Sequence, residues 1–240
     1  MMTSLRVELS SLLLCLGLCG CASSWASSER QVLPSFATSQ FANKRLFIAP
    51  YALKALDPER AVPLEEEQLK ELGRAYKDDD PNRAALKAFY STGAEGAKGT
   101  LSELGLPMTV VDLPNARWQD YFQDSEQFLN VTVDGKLRYQ VPEQKLLREL
   151  GVDADFVVVL GSLAYSTTTT IRTSSAGRSR SDSADFEGHF LVWDYRASQV
   201  IAEGKVEAGV LYKREPTPDI LLDLGRETLG EILAKRPFRG

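Results

Sequence analysis

The chain has 240 residues, of which 43% are hydrophobic, 25% charged and 9% aromatic, a balance that excludes a disordered chain and allows one sizeable core or two small ones. Its 28 Lys and Arg stand against 33 Asp and Glu, for a formal charge of -5; this argues against a nucleic-acid binder, which needs clustered cations to displace counterions.

The first feature in chain order is a short apolar run from Leu12 to Cys19. At 1.5 Å per residue it would span roughly 12 Å as a helix, under half of the ~30 Å hydrocarbon core, so it is too short to cross a membrane and has the size of a secretory h-region. Arg6 and Glu8 make the segment before it less basic than is usual for such leaders. Leu18-Cys19-Gly20-Cys21 resembles the bacterial lipobox, a leucine at the third place before the cut and a small residue next to an invariant cysteine. The resemblance implies cleavage after Gly20 and acylation of Cys21; an ordinary signal peptide cleaved elsewhere is the alternative. On the lipobox reading, residues 1–20 are the signal peptide, residues 21–42 the acylated cysteine and a flexible tether rich in Ser, Ala and Gln, and residues 43–240 a periplasmic domain. Cys15 and Cys19 leave with the leader, so Cys21 remains as a thioether and no disulfide is possible. Ala22, in place of Asp, implies by the sorting pattern of such lipoproteins a periplasm-facing place on the outer membrane.

Along the expected domain, Lys44 to Tyr51 is an apolar run closed by Pro50 and reads as a strand. Pro63 opens a helical pattern with Glu65, Glu66 and Glu67 at its positive end, and a second helix carries Ala85, Leu86, Phe89 and Tyr90 until Gly93, Gly96 and Gly99 break it into a flexible loop. Pro107 to Asp112 is a second strand, and Asn115 caps a short helix with Trp118, Tyr121 and Phe122 on one face. Asp134-Gly135 between two alternating runs signals a hairpin. Pro142 begins a helix that Gly151 stops, and Asp155 to Gly161 is a strand buried on both faces. Ser166 to Asp185, dense in Ser and Thr and holding Arg172, Arg178 and Arg180, reads as a mobile excursion. Gly188 to Tyr195 and Gln199 to Val210 alternate as antiparallel strands, and Thr217-Pro218 opens a final amphipathic helix. The order predicts an α+β fold, a single mixed, largely antiparallel sheet with helices packed on one side.

The segment Leu146 to Ser162, a helix ending at Gly, an Ala-Asp pair and a hydrophobic strand ending in Gly-Ser, resembles the curli-secretion lipoproteins, the lipoprotein activators of peptidoglycan synthases and the amino-terminal domain of the Tol-system propeller protein. Phe190 to Asp194 with Val200 to Gly204 is similar to their long antiparallel strand pair, although Arg196-Ala197-Ser198 departs from their turn. The auxiliary lipoproteins of lipid-trafficking transporters share a similar plan. Membrane pores of the curli type need strands with alternate apolar side chains, and Ser166 to Ala176 offers chiefly Ile171, which argues against a pore.

Chemical motifs are sparse. His189 is the single histidine, and no Gly-x-Ser-x-Gly elbow accompanies it, so a structural or exposed strand histidine is favoured over a hydrolytic triad. Asp78, Asp79 and Asp80 lack the alternate ligand spacing of a calcium loop and read as a solvated helix end. Gly93 to Thr100 is a near miss for a phosphate loop, with Gly99 where Ser or Thr belongs. Arg172, Arg178 and Arg180 suit an acidic partner, an anionic headgroup or peptidoglycan carboxylates, against the plainer reading of a solvated loop. These features point to a non-enzymatic lipoprotein without metal or cofactor that binds an envelope partner, the alternative being an auxiliary subunit of a lipid or solute transport system.

Overall fold

The computed structural model describes residues 24–50, 66–123, 127–135, 137–174, 177–212, 218–235 and 237–238. The fold is α+β, as the element order predicts. Among the described residues, eight strands and five α-helices follow one another as β1 (Ser24–Val32), β2 (Arg45–Ala49), α1 (Glu66–Tyr76), α2 (Pro81–Glu103), β3 (Thr109–Val111), α3 (Trp118–Gln123), β4 (Phe128–Val133), β5 (Leu137–Pro142), α4 (Gln144–Glu149), β6 (Phe156–Ser174), β7 (Gly177–Asp194), β8 (Gln199–Tyr212) and α5 (Pro218–Ala234). Six strands form a mixed sheet in the order β1-β8-β7-β6-β2-β3, and β4-β5 make a separate hairpin. Only β2 pairs in parallel, with β3 and β6; the rest of the large sheet is antiparallel.

Alternation along the strands divides the core between two faces. Leu46, Phe156 and Phe190 belong to the face covered by the two long helices, where Phe89 of α2 meets Phe186 at 5.3 Å between ring centroids. Phe47 points the other way and meets Tyr121 of α3 at 6.3 Å. The hairpin β4-β5 joins that second layer: the Tyr139 hydroxyl donates to the Phe190 carbonyl at 3.4 Å, and its ring fills the space a side chain at Gly161 would need. Gly161 sits where the β6-β7 register shifts, at a bulge. The near end of the core is closed by Phe41 and Phe238, stacked 4.5 Å apart.

Four sequence expectations change. The expected tether, residues 21–42, is not a tether over most of its length: Ser24–Val32 is an edge strand paired residue by residue with β8, so the domain begins before residue 43. This strand is held by polar contacts, Ser24 and Ser28 hydroxyls donating to Glu227 and Glu231 of α5 at 2.7 and 2.9 Å, and so shows no apolar alternation. The expected break at Gly93, Gly96 and Gly99 is also absent, because α2 continues through all three. A Cβ at Gly93 would fall 2.3 Å from Leu229 and one at Gly96 2.7 Å from Arg226, so these glycines let α5 approach α2 closely. The third change concerns the Ser/Thr/Arg stretch and the fourth the run from Asp78 to Asp80, both described below. Cys21 and the expected leader, residues 1–20, lie outside the described residues.

Candidate functional site

Two surfaces remain after the core is accounted for, an extended ribbon and the open half of the sheet next to it. The stretch expected to be a mobile excursion, Ser166 to Asp185, is instead the outer half of one β-hairpin, with strands of 19 and 18 residues. Its ladder runs without a break from Ser162 opposite His189 to Ser174 opposite Gly177. Among the described residues, neighbouring β8 ends at Tyr212 opposite Asp182, so the last five pairs, Thr170 with Ser181 to Ser174 with Gly177, form a two-stranded ribbon. At ~3.4 Å per residue it projects about 17 Å past the sheet. Both faces of this ribbon meet water, which is why its sequence lacks apolar alternation. The sequence signal that was available is the β-branched run Thr167 to Thr173.

Asp182 anchors the base of the ribbon. Its carboxylate accepts from the Thr169 hydroxyl at 2.6 Å, directly across the ladder, and from Arg180 Nε at 3.0 Å. The Thr169 bond first, and then Arg180, hold its pKa below the usual carboxylate range. Of the predicted partner-binding residues, Arg178 and Arg180 are exposed one turn of pleat apart on β7, and Arg172 lies opposite Ser179 in the ladder. The structure therefore gathers all three on the outer ribbon, in a segment from 170 to 181 that contains no carboxylate.

Adjacent to the ribbon, one face of β1, β8 and β7 carries the rows Glu29-Lys205-His189, Ser27-Glu207-Glu187 and Trp25-Gly209-Asp185. Together with Glu203 this half-face presents five carboxylates against one lysine. Lys205 donates to Glu207 at 2.7 Å and pairs with Glu187 at 3.1 Å, and these two bonds raise its pKa. A groove of about 350 Å³ runs past Glu29, Asp134, His189, Glu203 and Lys205. Partial burial, with Asp134 nearby, pushes the Glu203 carboxyl upward. Among the described residues no hydrogen bond joins His189 to a serine hydroxyl or an aspartate, and no cluster of His, Cys, Asp and Glu is placed to hold a metal ion. Trp118 is buried and Trp193 half-buried.

The Asp78–Asp80 run is not the solvated helix end expected from sequence. Asp78 is buried and its carboxylate is taken by Arg83, at 2.6 Å from Nη2, and by Lys87 at 2.5 Å. These cations occupy the oxygens a calcium ion would need. The other two clefts sit elsewhere: one of about 250 Å³ between α2 and the ends of β2 and β3, bordered by Lys98 and Asp112 in an ion pair of 2.5 Å, and one of about 510 Å³ beside Lys44, Asp155, Asp194 and Arg196. Each is rimmed by charge.

No protein-family model matches the chain, and no curated protein matches it. Among solved structures it is similar to the PelC dodecamer from Paraburkholderia phytofirmans, at 11% identity over 88% of this chain and 96% of that one, with a TM-score of 0.32. A point variant of that dodecamer gives 10% identity, 88% and 100% coverage and the same TM-score. At that score neither likeness carries an argument about this chain.

Proposed function

We propose that the protein is an acylated lipoprotein of the bacterial envelope, anchored through Cys21, whose α+β domain is a non-enzymatic binding module. The observation that carries this reading is the open half-face of β1, β8 and β7: a carboxylate-rich sheet surface with Glu29 and Glu187 exposed, on a domain whose opposite face is filled by helices. Such a surface suits a basic patch on another envelope protein, because charge complementarity sets register and association rate. The competing reading, a lipid- or solute-handling subunit, calls for an apolar cavity; the clefts described above carry charged groups at their rims, and the cleft beside α2, walled by Ile48, Tyr90, Leu113 and Trp118, is where such a ligand would sit.

Two measurements test the proposal. Cys21→Ser should abolish lipid labelling and membrane fractionation, and an unchanged membrane pool refutes the anchor. A photocrosslinking residue at Glu187 or Glu207 should capture one protein adduct in the native envelope that a crosslinker at Arg226, on the exposed side of α5, does not. Identical adducts from both faces, or lipid adducts from the sheet face, would count against the binding-module reading.

A further inference from the structure

The sheet register fixes how the ribbon stands relative to the expected anchor, and the inference drawn from it rests on the acylation of Cys21 proposed above. Ser24 pairs with Val210, Val210 with Ala184 and Ala184 with Thr167, so these four residues form one row across the sheet. β1 and β7 run in the same direction, since each is antiparallel to β8. The chain preceding Ser24 therefore leaves the sheet at the ribbon end. Cys21 is three residues upstream, which limits its Cα to roughly 10 Å from that of Ser24. Along β7, Arg180 is four residues and Arg178 six residues beyond Ala184, or about 13 and 20 Å at the rise of a strand. A bilayer that holds the acyl chains of Cys21 thus lies within reach of both guanidinium groups.

The geometry also says how the ribbon meets that bilayer. Standing upright, its tip would run about 10 Å deeper than Cys21, past a headgroup layer only ~6 Å thick. The described residues near the tip include Thr173, Arg178 and Ser179, whose polar groups oppose entry into hydrocarbon. The favourable arrangement is an inclined one, with the arginines in the headgroup layer. A second observation marks the same end of the molecule. Four large apolar side chains are exposed among the described residues, and three of them, Trp25, Ile171 and Leu211, lie at or beyond the row next to Ser24. Ile171 pairs with Arg180 and so shares its face, whereas Trp25 and Leu211 project from the other face, in the rows of Asp185 and Ser183; an aliphatic side chain beside arginines fits a membrane interface.

We infer that the outer ribbon is a membrane-surface foot: Arg178 and Arg180, which share one face of it, bind anionic headgroup phosphates of the bilayer that anchors Cys21, and so set the tilt of the domain. The carboxylate-rich sheet face is thereby held at a defined angle to the membrane instead of swinging on a tether.

The processed chain would contain no cysteine other than Cys21, so a single reporter can be introduced. The acylated protein carrying Ser179→Cys is labelled with a fluorophore and reconstituted into vesicles of phosphatidylethanolamine with or without phosphatidylglycerol as the anionic lipid. Nitroxides are placed either on the headgroup or deep on the acyl chain, and Ala197→Cys, in the β7-β8 turn at the far end of the sheet, is the control. The expected result is quenching of position 179 by headgroup nitroxide that rises with anionic lipid, falls with added salt, and is absent at position 197. Replacing Arg178 and Arg180 by Ala should lower the contact equilibrium about 25-fold, roughly fivefold for each cation near the surface. Stronger quenching by the deep nitroxide would overturn the inference in favour of an inserted hairpin, and label-to-label energy transfer that ignores lipid charge would overturn it in favour of contact between copies. Acylated protein with no quenching at position 179 refutes the foot alone, whereas mass analysis showing Cys21 unmodified refutes the anchor and the foot together.

Discussion

Arg30 of the edge strand reaches across to α5 and donates to the carbonyl oxygens of Ile232 at 2.8 Å and Glu231 at 3.2 Å, while its guanidinium lies 5.2 Å from the centroid of the Phe190 ring. Burial lowers its pKa to about 10, an effect that Glu231 partly offsets. The charge is tolerated because helix carbonyls and an aromatic face replace water. β1 is thus joined to the domain by a cation on the helix side and by the ladder to β8.

Arg30→Met keeps the aliphatic stem and removes the donors. We expect a loss of about 2 kcal/mol, the usual scale for partly buried hydrogen bonds from a charged group, measured by urea unfolding. Amide exchange should accelerate first in Ser24–Val32 while β6 and β7 keep their protection. If β1 exchanges no faster in the variant, the strand is held by its ladder alone and the α5 contacts are incidental.

Acid stability should depend on Asp78. Burial by itself would raise its pKa, but the hydrogen bonds from Arg83 and Lys87, with that from the Asp80 backbone, outweigh it and bring the value down from 3.8 to about 2. The folded value is therefore depressed, so the contribution is complete above pH ~4 and is lost as pH falls through about 2. Its size is about 2 kcal/mol. Asp78→Asn should flatten the decline in stability over that window. At neutral pH it should cost about 3–5 kcal/mol, because Lys87 and Arg83 lose their counterion in a mostly buried place. Equal acid slopes for the two proteins would show that other carboxylates control this range.

What the sequence reveals and hides follows from where each side chain finds its partners. Segments that bury an apolar stripe against one layer are legible: the run at Phe156, the alternation from Gln199 and the stripe of α5 each appear where expected. Asp134 and Gly135 both take positive φ, 49° and 70°, as their hairpin position implies. β1 and the outer ribbon are not legible, for one shared reason. Ser24, Ser28 and Arg30 dock through hydrogen bonds, and Thr167 to Thr173 face water on both sides, so neither strand carries the hydrophobic alternation by which strands are read. The arginines of the ribbon were visible as residue types, but their common position at one end of the sheet arises only from the β6-β7 register. The acidic half-face is equally non-local, assembled from one strand at residues 25–31 and two strands more than 150 residues later.

One glycine outside the α2-α5 contact and one inside it supply a paired test. Gly99 and Gly225 both lie inside helices, and helix propensity alone favours replacing either by alanine by about 1 kcal/mol. At Gly99 nothing lies within 4 Å of an added Cβ, so Gly99→Ala should raise stability by that amount. At Gly225 the Cβ would fall 2.3 Å from the Phe89 carbonyl oxygen, which belongs to the backbone of α2 and cannot rotate away. Gly225→Ala should therefore cost about 1–3 kcal/mol despite the propensity gain. Thermal unfolding of the two variants checks this directly, and stabilisation by both would mean that α2 and α5 pack less closely than described.

The same argument applies to the bulge at Gly161, with a different readout. An added Cβ there would lie 2.5 Å from Cδ1 and Cε1 of Tyr139. The tyrosine is almost fully buried, and its hydroxyl donates to the Phe190 carbonyl, so the ring has no vacant place to turn into and must move with its strand. Gly161→Ala should displace β4-β5 from the sheet and cost about 1–3 kcal/mol. Tyr139→Leu combined with Gly161→Ala should recover part of that loss, because the smaller side chain vacates the clash while remaining apolar. The double-mutant cycle should thus give a favourable coupling of at least ~0.5 kcal/mol, the range for residues in contact. Additive losses in that cycle would show that Gly161 is required for the backbone conformation of the bulge and not for the approach of Tyr139.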